Sequence, residues 1–155
     1  FTLFPYTTLF RSVDFDMQLV DGSKAKLSDI EAPVSILFFY AADNLDCKLQ
    51  RFRLTQARLV NYLQRAGGIK IVAVCVEGDK AAWEKFRADS PAEWLHVFDA
   101  EGKIKSENQY DLRTLPRLYL LDEQKTVLLK NTKADNIEQY LVQIIQASGE
   151  DAAAE

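Results

Sequence analysis

Asn44 and Cys47 are the residues of this 155-residue chain whose types and spacing come nearest to chemistry. They close the stretch Ser35-Ile-Leu-Phe-Phe-Tyr-Ala-Ala-Asp-Asn-Leu-Asp-Cys47, where a wholly apolar run meets a short polar turn and then an amphipathic segment. Two cysteines with two residues between them at a helix start would be a reactive dithiol, because the helix N-terminus favours the thiolate. Position 44 carries an amide instead, which cannot become a thiolate. Cys47 therefore has two readings: a lone thiol near a helix N-terminus, able to form mixed disulfides, or a small buried apolar residue. The second is the stronger, since free cysteine is among the most buried residue types. Cys75 sits inside Val72-Ala-Val-Cys-Val76, reads as core packing, and is not taken as the partner of Cys47. His96, the only histidine, reads as a residue paired near a strand, with no nucleophile close to it in sequence.

Composition narrows the classes. A chain 48% hydrophobic and 27% charged fits one globular domain able to bury a substantial core without metals or cross-links. A formal net charge of −4 is too balanced for a nucleic-acid footprint, so no nucleic-acid partner is expected. Two cysteines and one histidine make neither a disulfide framework nor a zinc spacing, so neither metal nor cofactor is expected. No window reaches the roughly 18 consecutive apolar residues of a membrane span.

The elements that must position Asn44 and Cys47 follow from periodicity. Ile36 to Tyr40, rich in β-branched and aromatic side chains, reads as a strand covered on both faces, the habit of parallel sheets, whose strand ends collect ligands and chemistry. Val13 to Leu19 alternates apolar and polar, and Asp21-Gly22 is a turn signal, which together predict an early hairpin. Lys26 to Ile30 offers a cap for a short helical turn. From Asp46 the residues Leu49, Phe52, Leu59, Val60 and Leu63 form the apolar stripe of one helix ending at Gly67-Gly68, with Lys48, Arg51, Arg53, Arg58 and Arg65 on its solvated face. Ile69 to Val76 is a second buried strand, and Asp79 can cap a helix presenting Trp83 and Phe86. Trp94 to Phe98 is a short apolar run closed by the turn Asp99 to Gly102. Leu115-Pro116 leads into a strand from Arg117 and a hairpin through Asp122 to Lys125, and a cis peptide is one way to place proline there. Asp135 and Glu138 read as a capping-box-like pair for a final helix with Ile137, Tyr140, Leu141, Ile144 and Ile145 on one face. No Gly-rich loop follows a strand, which sets aside a nucleotide-binding domain of flavodoxin type.

This order of elements resembles the thioredoxin fold, and the details resemble the cell-envelope thiol-disulfide oxidoreductases of the TlpA-like and ResA-like branch. Three segments carry the resemblance: Phe15 through Asp29, Phe38-Phe-Tyr-Ala-Ala-Asp-Asn-Leu-Asp-Cys47-Lys, and Leu115-Pro116 followed by Leu118-Tyr-Leu-Leu-Asp122. The resemblance implies an α/β domain with a central mixed sheet flanked by helices and an N-terminal β-hairpin extension. It also implies that Asn44 stands where the family has its attacking cysteine and Cys47 where it has the resolving one. The complete dithiol reaction is then lost, while Asn44 can still cap the helix. An extended protein or peptide substrate would meet Asp43 and Leu45 in the loop and Thr114, Leu115 and Pro116 beside it, by strand addition. Two functions follow as expectations: a domain weak or inactive as a dithiol enzyme that keeps a peptide-binding surface, or a monothiol enzyme acting through Cys47. The implied compartment is the cell envelope or periplasm, and the expected unit is a monomer.

The domain is expected over residues 13–147. Residues 1–12, of which Thr2 to Ser12 resembles the translation of a widely used DNA sequencing adapter, are left out of the fold reasoning, with any natural N-terminal targeting region missing. The acidic, alanine-rich stretch 148–155 is expected as a flexible tail.

Overall fold

The computed structural model describes residues 12, 14–99, 101–106, 110 and 112–154, without the side chains of 148–154. Residues 1–11, set apart above, lie outside the described residues. The chain opens with β1 (Asp16–Gln18) and β2 (Lys24–Lys26), an antiparallel pair turned at Gly22, where φ is +86°. A single 3-10 turn, Leu27–Asp29, follows, and the Asp29 carboxylate accepts the Lys26 N–H at 2.9 Å. Next come β3 (Val34–Ala41), α1 (Leu45–Gln56), α2 (Arg58–Arg65), β4 (Ile69–Glu77), α3 (Lys80–Ala88), β5 (Leu95–Phe98) and α4 (Lys103–Ser106). The chain closes with β6 (Arg117–Asp122), β7 (Val127–Thr132) and α5 (Ala134–Ala154).

The main sheet has the order β5-β4-β3-β6-β7. β3 pairs parallel with β4 and β4 with β5, whereas β6 runs antiparallel to both β3 and β7. With neighbours on both edges, β3 is central, and Ser35 to Tyr40 are wholly buried. That placement explains its unbroken apolar run, because each of its two faces meets a core. On one face Ile36, Phe38 and Tyr40 join Cys47, Leu54, Val60, Trp83, Phe86, Ile137 and Leu141; on the other, Leu37 and Phe39 join Phe15, Met17, Val72, Val74, Ile104 and Tyr119. The N-terminal hairpin thus covers the second face, which the larger helices do not reach.

Expectations about the helices are corrected at several points. The helix anticipated from Asp46 to Gly67 is two helices, broken at Ala57, whose backbone is extended (φ −74°, ψ 108°). The break is held from far away in sequence: the Glu138 carboxylate accepts the N–H groups of Leu59 and Val60 at 2.7 and 3.0 Å, capping α2. Asp135 and Glu138 consequently do not form a box on their own helix; Asp135 pairs with Arg53 at 3.0 Å. The buried residues of α1 are Cys47, Gln50 and Leu54, while Leu49 and Phe52, expected on the apolar stripe, are exposed. Arg51 is not on a solvated face either: its guanidinium lies over the Phe86 ring at 4.3 Å and donates to the Phe86 carbonyl. The last helix, α5, runs from Ala134 to Ala154.

Candidate functional site

The site lies where β3 ends. After Ala41 the chain leaves the sheet, with the Ala42 N–H still donating to the Glu77 carbonyl at 3.0 Å across a bulge in the β3–β4 register. Gly78, at φ +118°, lets β4's exit pass close to this turn; a Cβ there would lie 3.1 Å from the Ala42 Cβ. The Asn44 N–H donates back to the Ala41 carbonyl at 3.2 Å, closing the loop. Asn44 has extended backbone and its Oδ1 accepts the Cys47 N–H at 3.0 Å, so it is the N-cap of α1.

Cys47 has no solvent exposure. Its Sγ accepts the Ala41 N–H at 3.4 Å. Burial pushes its thiol up to about 11, the Ala41 N–H offsets part of that rise, and the Asp46 carboxylate adds to it. The thiol is therefore neutral near pH 7, and the helix N-terminus does not overcome the loss of water. Cys75 is equally buried, donates from Sγ to the Glu77 carbonyl at 3.2 Å, and is pushed up to about 12, again chiefly by burial. Both cysteines are free thiols. Tyr40 stacks on Phe86 with centroids 3.9 Å apart, and its buried hydroxyl has no hydrogen-bond partner among the described residues.

The second wall of the site is the approach to β6. Register pairs Phe39 with Arg117, so Pro116 falls beside the end of β3, next to the loop of residues 42–44. The Leu115–Pro116 peptide is cis. Thr114 is exposed, its carbonyl accepting the Arg117 Nε–H at 2.8 Å; Leu115 and Pro116 are half-buried, and Leu115 packs against both core clusters. The structure thus brings the two predicted segments to one end of the sheet. Asp43 and Leu45 point outward, Leu45 being 79% exposed, and with Leu49 and Phe52 it makes an apolar stripe along the outer face of α1.

His96 lies apart from this site. Its Nε2 is 3.1 Å from the Pro91 carbonyl, its ring stacks on Trp94, and burial holds its pKa below the usual value. Sequence reasoning missed Gln50, whose buried side-chain oxygen accepts the Ala134 N–H at 2.9 Å and ties the site helix to α5. A glutamine within the polar sequence of α1 gave no signal of that role. Among the described residues no group of His, Cys, Asp and Glu side chains could hold a metal ion, and no helix is long and apolar enough to cross a membrane.

A family model described as thioredoxin-like matches residues 33–127, more than half of the chain. No curated protein matches. Among solved structures, the C-terminal domain of an uncharacterized protein from Bacteroides fragilis is 33% identical with a TM-score of 0.81, covering 85% of this chain and 94% of that one. A thioredoxin-like protein from Bacteroides caccae is 29% identical with a TM-score of 0.81 over 85% of this chain, which spans about half (48%) of that longer protein. A candidate thiol:disulfide interchange protein DsbE from Chlorobium tepidum is 28% identical with a TM-score of 0.68, covering 88% of this chain and 94% of that one. With the family match spanning the central strand, the Asn44–Cys47 turn and the cis-proline approach, the chain belongs to the thioredoxin-like family and resembles its thiol-disulfide oxidoreductases.

Proposed function

We propose that this domain binds extended protein or peptide segments between the loop Asp43–Leu45 and the segment Thr114–Pro116, and that positions 44 and 47 do not carry out dithiol exchange on a protein substrate. The observation behind the reading is the Asn44 cap. A carboxamide stands three residues before Cys47, with its oxygen engaged on the Cys47 N–H at 3.0 Å, and offers no sulfur to a substrate disulfide. The surface around it keeps features that suit strand addition: an exposed Thr114, a half-buried Leu115, and the exposed apolar side chain of Leu45. The compartment that goes with this reading is the cell envelope, and the unit is a monomer.

One observation favours a second reading, a monothiol enzyme. The Ala41 N–H aimed at the Cys47 sulfur at 3.4 Å would stabilise negative charge there once the loop opened.

A single experiment separates the two. Insulin B chain with its cysteines carboxymethylated serves as a blocked extended probe, and intact disulfide-linked insulin as a reactive one. The binding reading predicts saturable, non-covalent binding of the blocked chain that Leu45→Glu weakens about tenfold, with no covalent adduct from intact insulin. A mixed disulfide at Cys47 would favour the monothiol reading instead. Absence of any binding to the blocked chain would remove the first reading.

A further inference from the structure

The two thiols of this chain approach Ala41 by way of the two consecutive peptide units that flank it. Cys47 reaches it from α1, its Sγ accepting the Ala41 N–H at 3.4 Å. Cys75 reaches it from β4: its Sγ donates to the Glu77 carbonyl at 3.2 Å, and that same oxygen accepts the Ala42 N–H at 3.0 Å. Register makes Cys75 the parallel-strand partner of Tyr40, so the two side chains leave the sheet on the same face, the one on which Cys47 is packed. Tyr40, Ala41, Ala42, Cys47 and Cys75 all belong to one buried cluster. Proximity is also felt electrically, since charge on Cys47 raises the pKa of Cys75 and charge on either cysteine raises that of Tyr40.

We propose that Cys47 and Cys75 are an internal redox pair, in which Cys75 on β4 takes the part of second sulfur that position 44 cannot supply. The oxidant is a low-molecular-weight disulfide. When the loop of residues 42–44 and the first turn of α1 open, Cys47 gives its proton to solvent and its sulfur attacks one sulfur of that disulfide. A bond forms between Cys47 and the attacked sulfur, the original S–S bond breaks, and the departing thiolate takes up a proton. Cys75 then loses its proton and attacks the Cys47 sulfur, closing a Cys47–Cys75 disulfide and releasing the second small thiol. Two electrons have passed from the protein dithiol to the small disulfide, which leaves as two thiols. The bond would tie the first turn of α1 to the exit of β4 and so fix the loop that carries Asp43 and Leu45. Burial makes both sulfurs poor thiolates at neutral pH, so oxidation is slow and follows loop opening.

The test uses the full chain, reduced and then equilibrated over a series of oxidised-to-reduced glutathione ratios. Samples are unfolded in the presence of a maleimide and weighed intact. The expected result is that both thiols disappear together, with a mass loss equal to the hydrogens of the two thiols, no glutathione adduct, and a Cys47–Cys75 cross-linked peptide after digestion. In Cys75→Ala the internal product is lost and a single glutathione adduct on Cys47 takes its place. Two free thiols at every ratio, separate adducts on both cysteines in the native chain, or a disulfide between copies would each overturn the proposal. The native-chain result stands by itself if the variant does not fold. Binding of the carboxymethylated insulin B chain is measured with the thiols reduced, so failure of the redox pair and failure of the binding reading are separate results.

Discussion

Asn44 keeps the scaffold role of a helix start without offering a nucleophile. Its Oδ1 satisfies the Cys47 N–H, one of the donors that a helix N-terminus leaves open, and its own N–H closes the loop on Ala41. Replacing it with alanine leaves that donor without its partner and is expected to lower stability by about 0.5–2 kcal/mol, measured as a shift of the urea midpoint, whereas Asn44→Asp keeps the cap. An unchanged midpoint for Asn44→Ala would show that the loop does not depend on this bond. The spacing of Asn44 and Cys47 was readable from the sequence, because both the residue types and the turn that holds them are local. The nearness of Cys75 was not. It depends on the register in which Tyr40 meets Cys75, and nothing in Val72 to Val76 announces which side chain of the neighbouring strand will stand beside it.

Among the elements, the strands were the most legible. A seven-residue buried run such as Ser35 to Ala41 of β3 admits few alternatives, and its neighbours on either side follow from their own apolar runs and turn residues. The helices following the site were less so, since the residue that breaks them is 79 positions from the N–H it caps. A stripe of Leu49, Phe52, Leu59, Val60 and Leu63 satisfies one helical period on paper; the Glu138 carboxylate overrides it by starting a new helix at Arg58. Glu138→Ala uncaps Leu59 and Val60 together and is expected to cost about 1–3 kcal/mol, with Glu138→Gln recovering part of it through a single acceptor oxygen. Denaturation midpoints of the three proteins check this, and equal midpoints would mean that Ala57 breaks the helix without help.

Across the whole molecule, a central strand with one core on each face brings the Asn44 turn and the Leu115–Pro116 approach to the same end of the sheet. That arrangement buries both thiols and gives stability a dependence on alkaline pH. The thiols ionise near 9 when exposed and near 11 and 12 in the folded protein. Up to about pH 9 they are protonated in both states; above it the unfolded chain releases protons that the folded chain keeps, so stability falls as pH rises through about 9 to 12. Urea midpoints between pH 8 and 10.5 are expected to fall, and to fall less steeply in Cys75→Ala; equal slopes would contradict the burial-driven shift. The central claim is that a thioredoxin-like scaffold holds an amide in the seat of the attacking sulfur. It is tested most directly by the rate of insulin reduction by dithiothreitol with native protein and with Asn44→Cys. The native chain is expected to leave the dithiothreitol rate unchanged and the variant to raise it about tenfold or more, whereas a native chain that already accelerates the reaction, or a folded variant that does not, would contradict the assignment.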